Sequence, residues 1–258
     1  MKRLARIMVA PNGARRSKAD HPALPVTIAE TVETARRCHA EGAEAIHAHV
    51  RDRQGRHVLD AGLYRELLGE LALVVPGMGV QITTEAVGRY DPEAQRRVVR
   101  EVRPQAVSVA LREMLPDADQ TEAARAFYHW AVEADIAVQH ILYAADELSE
   151  LFAAIRSGIV PSNSLQLLFV LGRYADGQQS RLSDIDPFLA SLEPLADEIG
   201  DVEWAVCAFG QKETDCLVQG VRRGGRARIG FENSLWNRDG SVAADNAERV
   251  RELKSIIG

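Results

Sequence analysis

Two histidines set two residues apart are the most chemically suggestive feature of this 258-residue sequence. They lie in the stretch from Ala43 to Asp52, which reads Ala-Glu-Ala-Ile-His-Ala-His-Val-Arg-Asp. Its core reads as a buried strand, and side chains at i and i+2 of a strand share a face. His47 and His49 therefore project together while Ala48 points the other way. Neutral imidazole is the commonest protein ligand for a transition metal, and two of them need only one or two further donors. A single histidine on an apolar strand is more simply a core residue; a pair at a strand's end points to a metal. Glu232 is the candidate third ligand, because it ends the last strand, beside the first and near the second in a closed barrel. Zinc held by two histidines and a carboxylate, with one position open, is a catalytic arrangement that can polarise a carbonyl. His21, His39, His57 and His129 fall in loops or on helices and read as solvated. His140 lies mid-strand and reads as a core residue.

Bringing His47 and Glu232 together is a task for the fold. Strands are expected at Arg6–Pro11, around the histidine pair, and at Gly79–Thr84, Ala106–Leu111 and Ile136–Tyr143. Three more follow at Ser164–Leu171, Val202–Phe209 and Arg226–Phe231. Between them run helices at Thr27–Ala40, Asp60–Val74, from Asp91-Pro92 onward, Asp119–Ala134 and Asp146–Arg156. The last three are Ile185–Ile199, Glu213–Arg222 and Ala243–Ile257. Thr27 with Glu30 forms a capping box, and Asp91-Pro92 supplies a cap and a first-turn proline. Near-continuous apolar strands alternating with amphipathic helices mean a parallel sheet buried on both faces. Eight such units in roughly 250 residues have the size of a (β/α)₈ TIM barrel. No Gly-x-Gly-x-x-Gly follows the first strand, which disfavours a doubly wound sheet. One α/β domain spanning residues 1–258 is the reading.

Chemistry in such a barrel sits at the carboxyl ends of the strands. Arg15 and Arg16 follow strand one, Thr83 and Glu85 strand three, Ser108 and Glu113 strand four, and Arg173 strand six. Asp52, just past the histidines, reads as a group that orients one of them or Arg51. Glu113 reads as the ion-pair partner of Arg112.

A charge of −6, with 46% hydrophobic and 26% charged residues, describes an ordinary acidic globule. It disfavours a nucleic-acid binder, which needs a basic face. Cys38, Cys207 and Cys216 show no paired spacing, so a reducing cytoplasm is expected. No apolar run approaches the roughly 20 residues of a membrane helix.

Three segments together resemble the β-keto acid cleavage enzymes, typified by the 3-keto-5-aminohexanoate cleavage enzyme. They are Ala10-Pro11-Asn12-Gly13-Ala14, then Ile46-His47-Ala48-His49-Val50-Arg51-Asp52 with Gly55 and Asp60, and Arg228-Ile229-Gly230-Phe231-Glu232-Asn233. The resemblance runs from about residue 6 to 257. It implies a zinc-dependent (β/α)₈ enzyme, commonly a homotetramer, that converts a β-keto acid and acetyl-CoA to acetoacetate and a new acyl-CoA. His47, His49 and Glu232 then match the zinc ligands, and Thr83 and Ser108 match hydroxyl residues that bind the substrate. Arg228 matches an arginine that steers a catalytic aspartate, but the aspartate's position holds Asn233. A carboxamide cannot accept the C2 proton near neutral pH. Either the activity is lost, or a zinc-bound hydroxide or a nearby carboxylate serves, and Glu85 is the nominated carboxylate, with a charge partner for Arg15 as its simpler role. In the aminohexanoate-cleaving members a glutamate follows Gly-Ala and reads an ammonium. Here Arg15 follows, so a tail without an amino group is expected. Arg222, Arg223 and Arg226 are nominated for the CoA phosphates.

Two other readings compete. A metal-dependent hydrolase of the amidohydrolase type carries His-x-His on its first strand and further histidines on strands five and six. Here the pair is on strand two, strand six has none, and His140 is the sole feature in favour. A non-catalytic barrel binding acyl-CoA or a structural zinc would usually show a closed four-ligand site, often with cysteine.

Overall fold

The expected alternation closes on itself. The computed structural model describes residues 3–200 and 202–258, the side chains of 196–199 excepted. Its parallel strands are β1 (Ile7–Val9), β2 (Ala45–Ala48), β3 (Gly79–Thr83), β4 (Ala106–Ala110), β5 (Ala137–Leu142), β6 (Leu165–Leu171), β7 (Val202–Ala208) and β8 (Arg226–Ile229). They are hydrogen-bonded in sequence order, and β8 pairs with β1 to complete the barrel. The surrounding helices are α1 (Ile28–Ala40), α2 (Ala61–Val74), α3 (Pro92–Val102), α4 (Leu111–Met114), α5 (Thr121–Glu133), α6 (Glu147–Arg156), α7 (Asp186–Ile199), α8 (Glu213–Arg222) and α9 (Asn246–Ile257).

Local chemistry sets the helix starts. Thr27 accepts from the Glu30 amide while the Glu30 carboxylate accepts from the Thr27 amide, which is the expected capping box. Asp60, Asp91 and Asp245 cap α2, α3 and α9. Each such cap contributes about 1 kcal/mol. One element was not foreseen. The single turn α4 buries Leu111 and Met114 straight after β4, so the helix expected from Asp119 begins at Thr121 after a 3₁₀ turn.

Alternation along the strands divides the side chains between two environments. Outward residues such as Ile46, Ile82, Val109, Phe169 and Ile229 join the main hydrophobic cluster beneath the helices. Inward residues differ from one side of the lumen to the other. Leu168, Val170, Ala205 and Cys207 form an apolar cluster on β6 and β7. His47, Gln81, Ser108 and Gln139, all buried and polar, occupy β2 to β5. Among the described residues no helix is long and apolar enough to cross a membrane.

His140 lies on the outward face of β5, its ring 5.5 Å from that of Tyr128, and its Nδ1 has no partner. Burial holds its pKa down at about 4. An unfolded chain takes up that proton near 6.5, so the stability is complete above that pH and falls as pH drops toward 4. His140→Phe is expected to remove about 2 kcal/mol of the parent's stability difference between pH 7.5 and pH 5. Urea unfolding at the two values reads this directly, and an unchanged difference contradicts it.

Candidate metal centre and active site

The histidine pair sits where the strand reading placed it. His47 is in β2, His49 is one step past its end, and both are buried. Glu232 lies three residues beyond β8, on a segment that returns toward β1 through Gly230. That return depends on two glycines. Gly230 has φ +143°, and a Cβ there would strike the Ala10 carbonyl. Gly13 has φ +61°, and its added Cβ would stand 2.6 Å from Glu232 Cγ. The Pro11-Asn12-Gly13 break thus leaves the space that Glu232 fills.

The donor atoms converge. His47 Nε2 and His49 Nε2 are 3.1 Å apart, and Glu232 oxygens lie 3.9 and 3.5 Å from them respectively. One ligand atom from each residue falls within 4.8 Å of the others. Two facing imidazole nitrogens and a carboxylate oxygen without a hydrogen-bond partner suit a shared cation. Burial, with Arg228 nearby, holds the His47 pKa well below its usual value, which keeps the neutral ligand form. For Glu232 burial opposes the charge, but Arg228 and both histidines outweigh it and hold the carboxyl well below the ordinary range. Arg228 Nη2 lies 3.5 Å from a Glu232 oxygen.

The His47 tautomer follows from its neighbours. Gln139 Nε2 donates to the Leu167 carbonyl, so Gln139 Oε1 faces Gln81 Nε2 and accepts from it. Gln81 Oε1 then faces His47 Nδ1 at 2.8 Å, and that nitrogen must carry the hydrogen. His47 Nε2 is left with its lone pair toward the candidate metal position. The β2–β3 register pairs His47 with Gln81.

These groups open into a cavity of about 190 Å³ at the carboxyl ends of the strands. Thr83, Glu85, Arg15, Arg228 and Asn233 line it with His47 and Glu232. Thr83 Oγ1 accepts from the Glu85 amide, which leaves its hydroxyl hydrogen free to donate. Ser108 is fully buried with an unpartnered hydroxyl and does not line the cavity; Ala110, one inward step higher, does. Glu85 stands between two guanidiniums, 4.0 Å from Arg15 and 3.9 Å from Arg173. Cys207 also lines the cavity, but burial pushes its thiol up to about 12, which excludes a thiolate nucleophile.

Several expectations are corrected. Asp52 orients neither histidine nor Arg51; it accepts from the Gln54 and Arg56 amides and from Arg56 Nε, closing its own turn. Arg51 instead donates to the Gly13 and Gly55 carbonyls. Glu113 is not paired with Arg112, which bonds Glu147 and lies over Tyr143. It accepts from Gln95 on the cavity wall, and burial raises its pKa. Arg16 grips the Phe231 and Asn233 carbonyls and so steadies the Glu232 segment. Arg222, Arg223 and Arg226 lie where α8 ends and β8 begins, at the opposite end of the barrel from the cavity. His21 and His57, expected to be solvated, are buried. His140 faces the helices, so the hydrolase reading loses its one support.

Asn233 has a physical reason to be an amide. Its Nδ2 donates to Glu213 Oε1 at 3.3 Å and weakly to the Arg228 carbonyl. Glu213 is fully buried against Arg249, and burial pushes its pKa up to about 7. An aspartate at 233 would set a second carboxylate against this one, and like charges that close do not both ionise.

The family model for beta-keto acid cleavage enzymes matches residues 5–258. The chain belongs to this family. As a family member it is an enzyme, and its relatives are remote. A 3,5-dioxohexanoate:acetyl-CoA acetone transferase of Paraburkholderia graminis is 24% identical over 292 residues, covering 99% of this chain and 90% of that one. A 3-oxoadipate:acetyl-CoA acetyltransferase of Cupriavidus necator is 24% identical over 262 residues, covering 97% and 87%. Among solved structures, the binary complex of ObcA with oxaloacetate matches this family member with a TM-score of 0.70 at 13% identity. That match covers 91% of this chain and 63% of the other, and it speaks for the barrel fold alone.

Proposed function

We propose that this chain is a zinc-dependent acyltransferase that condenses a β-keto acid with acetyl-CoA, yielding acetoacetate and a new acyl-CoA. The observation that carries the reading is the convergence of His47, His49 and Glu232 at the cavity of a barrel matched by the family along nearly its whole length. The metal, held by these three residues, supplies Lewis acidity that favours loss of the substrate's C2 proton. The resemblance supports a homotetramer, the unbroken run of eight strand–helix units a single domain, and the unpaired spacing of the three cysteines a cytoplasmic setting.

The chain's own groups divide the remaining work. Thr83 donates its free hydroxyl hydrogen to the substrate carboxylate, whereas Ser108, buried and off the cavity wall, is left without a direct substrate contact. Arg228 adds positive charge beside Glu232 and the substrate. Asn233 turns its amide hydrogens toward Glu213 and Arg228, so its oxygen is the group left to orient substrate. The C2 carbanion attacks the acetyl thioester and releases CoA thiolate. The thiolate then adds to the original keto carbon, and cleavage of the C2–C3 bond releases the new acyl-CoA and an acetoacetate carbanion, which takes back the proton first removed from C2.

Glu85 is assigned the C2 proton. It follows Thr83 by two residues and shares the cavity wall with it. Glu85→Gln is expected to slow deuterium exchange from solvent at C2 by about 10²-fold or more, while Glu113→Gln slows it far less. Near-normal exchange in Glu85→Gln together with loss in Glu232→Gln overturns the assignment.

The tail pocket decides the substrate class. Ile141, Leu168, Val170 and Phe209 give it an apolar wall, and Arg173 lies over the Phe209 ring at 5.1 Å. Arg15 and Arg173 repel an ammonium and accept a carboxylate or a carbonyl. Steady-state kinetics test the function and this preference together. Acyl-CoA should form from neutral or dicarboxylic β-keto acids with kcat/KM at least about tenfold above that for 3-keto-5-aminohexanoate. A preference for the amino acid, or no acyl-CoA from any β-keto acid, contradicts the proposal.

A further inference from the structure

His57 is buried in a loop and has no place in the roles assigned so far. Its position is fixed twice. An isolated antiparallel bridge ties its backbone to Arg51, two residues beyond His49. Its Nε2 lies 3.0 Å from the Glu85 carbonyl oxygen. A carbonyl only accepts, so His57 Nε2 carries a hydrogen and Nδ1 of the neutral ring is a bare acceptor. That Nδ1 is buried and has no partner.

The complementary deficiency lies on His49. Its Nε2 faces His47 Nε2 and Glu232, so a metal there takes the Nε2 lone pair and leaves the hydrogen on Nδ1. His49 Nδ1 is also buried and has no partner. The two rings are neighbours, with centroids 5.0 Å apart and planes tilted by 60°. One lacks an acceptor and the other lacks a donor. A ligating histidine nearly always donates its second N–H, and His47 already has Gln81 for this purpose.

We infer that His57 is a positioning residue of the metal centre. The two Nδ1 nitrogens are not hydrogen-bonded to each other in this structure, but a cation on His49 Nε2 would fix the His49 hydrogen on Nδ1, and His57 Nδ1 is the neighbouring acceptor left to take it. This rests on the metal reading above. A chain of orientation then runs from the Glu85 carbonyl through His57 to His49, matching the one from Gln139 through Gln81 to His47. Glu85 thereby serves the centre through its backbone, separately from any work of its carboxylate.

Three variants separate this role from mere packing. Asparagine at 57 can place its oxygen near the former Nδ1, glutamine can place its amide nitrogen near the former Nε2, and phenylalanine keeps the ring alone. Zinc affinity, by chelator competition at fixed pH, is expected to fall about 10–100-fold in His57→Phe and His57→Gln and to recover substantially in His57→Asn. Thermal unfolding of the metal-free forms monitors the fold. Proton–nitrogen-15 spectra of the histidine-labelled, zinc-loaded protein add a readout besides affinity: the His49 Nδ1–H signal is expected to be downfield and slow to exchange in the parent and to lose both marks in His57→Phe. Parent-like zinc affinity in His57→Phe, or an unchanged His49 Nδ1–H signal, overturns the inference. Failure of the parent to bind zinc overturns the metal reading and this role together, whereas zinc binding in the parent with parent-like affinity in His57→Phe overturns this role alone.

Discussion

Replacing His47 and His49 together by alanine is expected to abolish metal binding and to leave the barrel folded. Glu232 alone offers one carboxylate, which does not hold a transition ion against water and buffer. The imidazoles contribute little to the core, because they face the polar half of the lumen rather than the cluster beneath the helices. Their loss also frees Glu232 from nearby donors, yet Arg228 remains at 3.5 Å to balance its charge. Elemental analysis should find about one divalent ion per chain in the parent and a trace in the double variant. Circular dichroism should be unchanged. Full metal content in the double variant places the ion elsewhere.

Loss of Arg249 is the largest stability effect expected. Arg249 and Glu213 are both fully buried and meet at 2.8 Å, and the same guanidinium also binds Thr214 and Glu252. Breaking such a pair from one side costs about 3–5 kcal/mol, because a buried charge is left uncompensated. Glu213 holds the Gly230 amide and Asn233, so the injury extends to the segment that carries Glu232. In Arg249→Met the Glu213 carboxyl escapes the penalty by taking a proton. Its folded pKa then rises above the parent's value of about 7, so the deficit relative to the parent grows as pH rises through and beyond about 7. Urea unfolding should show a smaller deficit at pH 5.5 than at pH 8, and Glu213→Gln added to Arg249→Met should recover part of it. A deficit below about 1 kcal/mol at pH 8 contradicts this view of the pair.

The barrel was legible because most strands are short, largely apolar runs between amphipathic segments, and the caps at Thr27, Asp60 and Asp91 mark where helices begin. The histidine pair was legible for the same reason, since period two fixes a face. Glu232 followed only from closure, which brings β8 beside β1. The partners of the ligands were hidden. Gln81 and Gln139 each interrupt an apolar strand, a signal that a buried hydrogen-bond layer exists, but their contact spans β3 to β5 and depends on register. His57 lies in a loop, and sequence patterning gives a loop residue no face. Glu113 was misread because α4 could not be foreseen: four residues are too few for a periodic pattern, and that turn carries the carboxyl to Gln95 rather than to Arg112. The link from Glu213 to Asn233 joins α8 to the segment after β8, and nothing in the spacing announces it.

On the proposed function, carbon is exchanged between a β-keto acid and acetyl-CoA at the site built by His47, His49 and Glu232. Acetyl-CoA labelled with carbon-13 in both acetyl carbons, incubated with an unlabelled neutral or dicarboxylic β-keto acid, tests it most directly. Mass spectrometry should find acetoacetate labelled at C3 and C4 with unlabelled C1 and C2, and an equal amount of unlabelled acyl-CoA. The Glu232→Gln variant should form neither. Unlabelled acetoacetate, free CoA without acyl-CoA, or full exchange in the Glu232→Gln variant would contradict this exchange at the three-residue site.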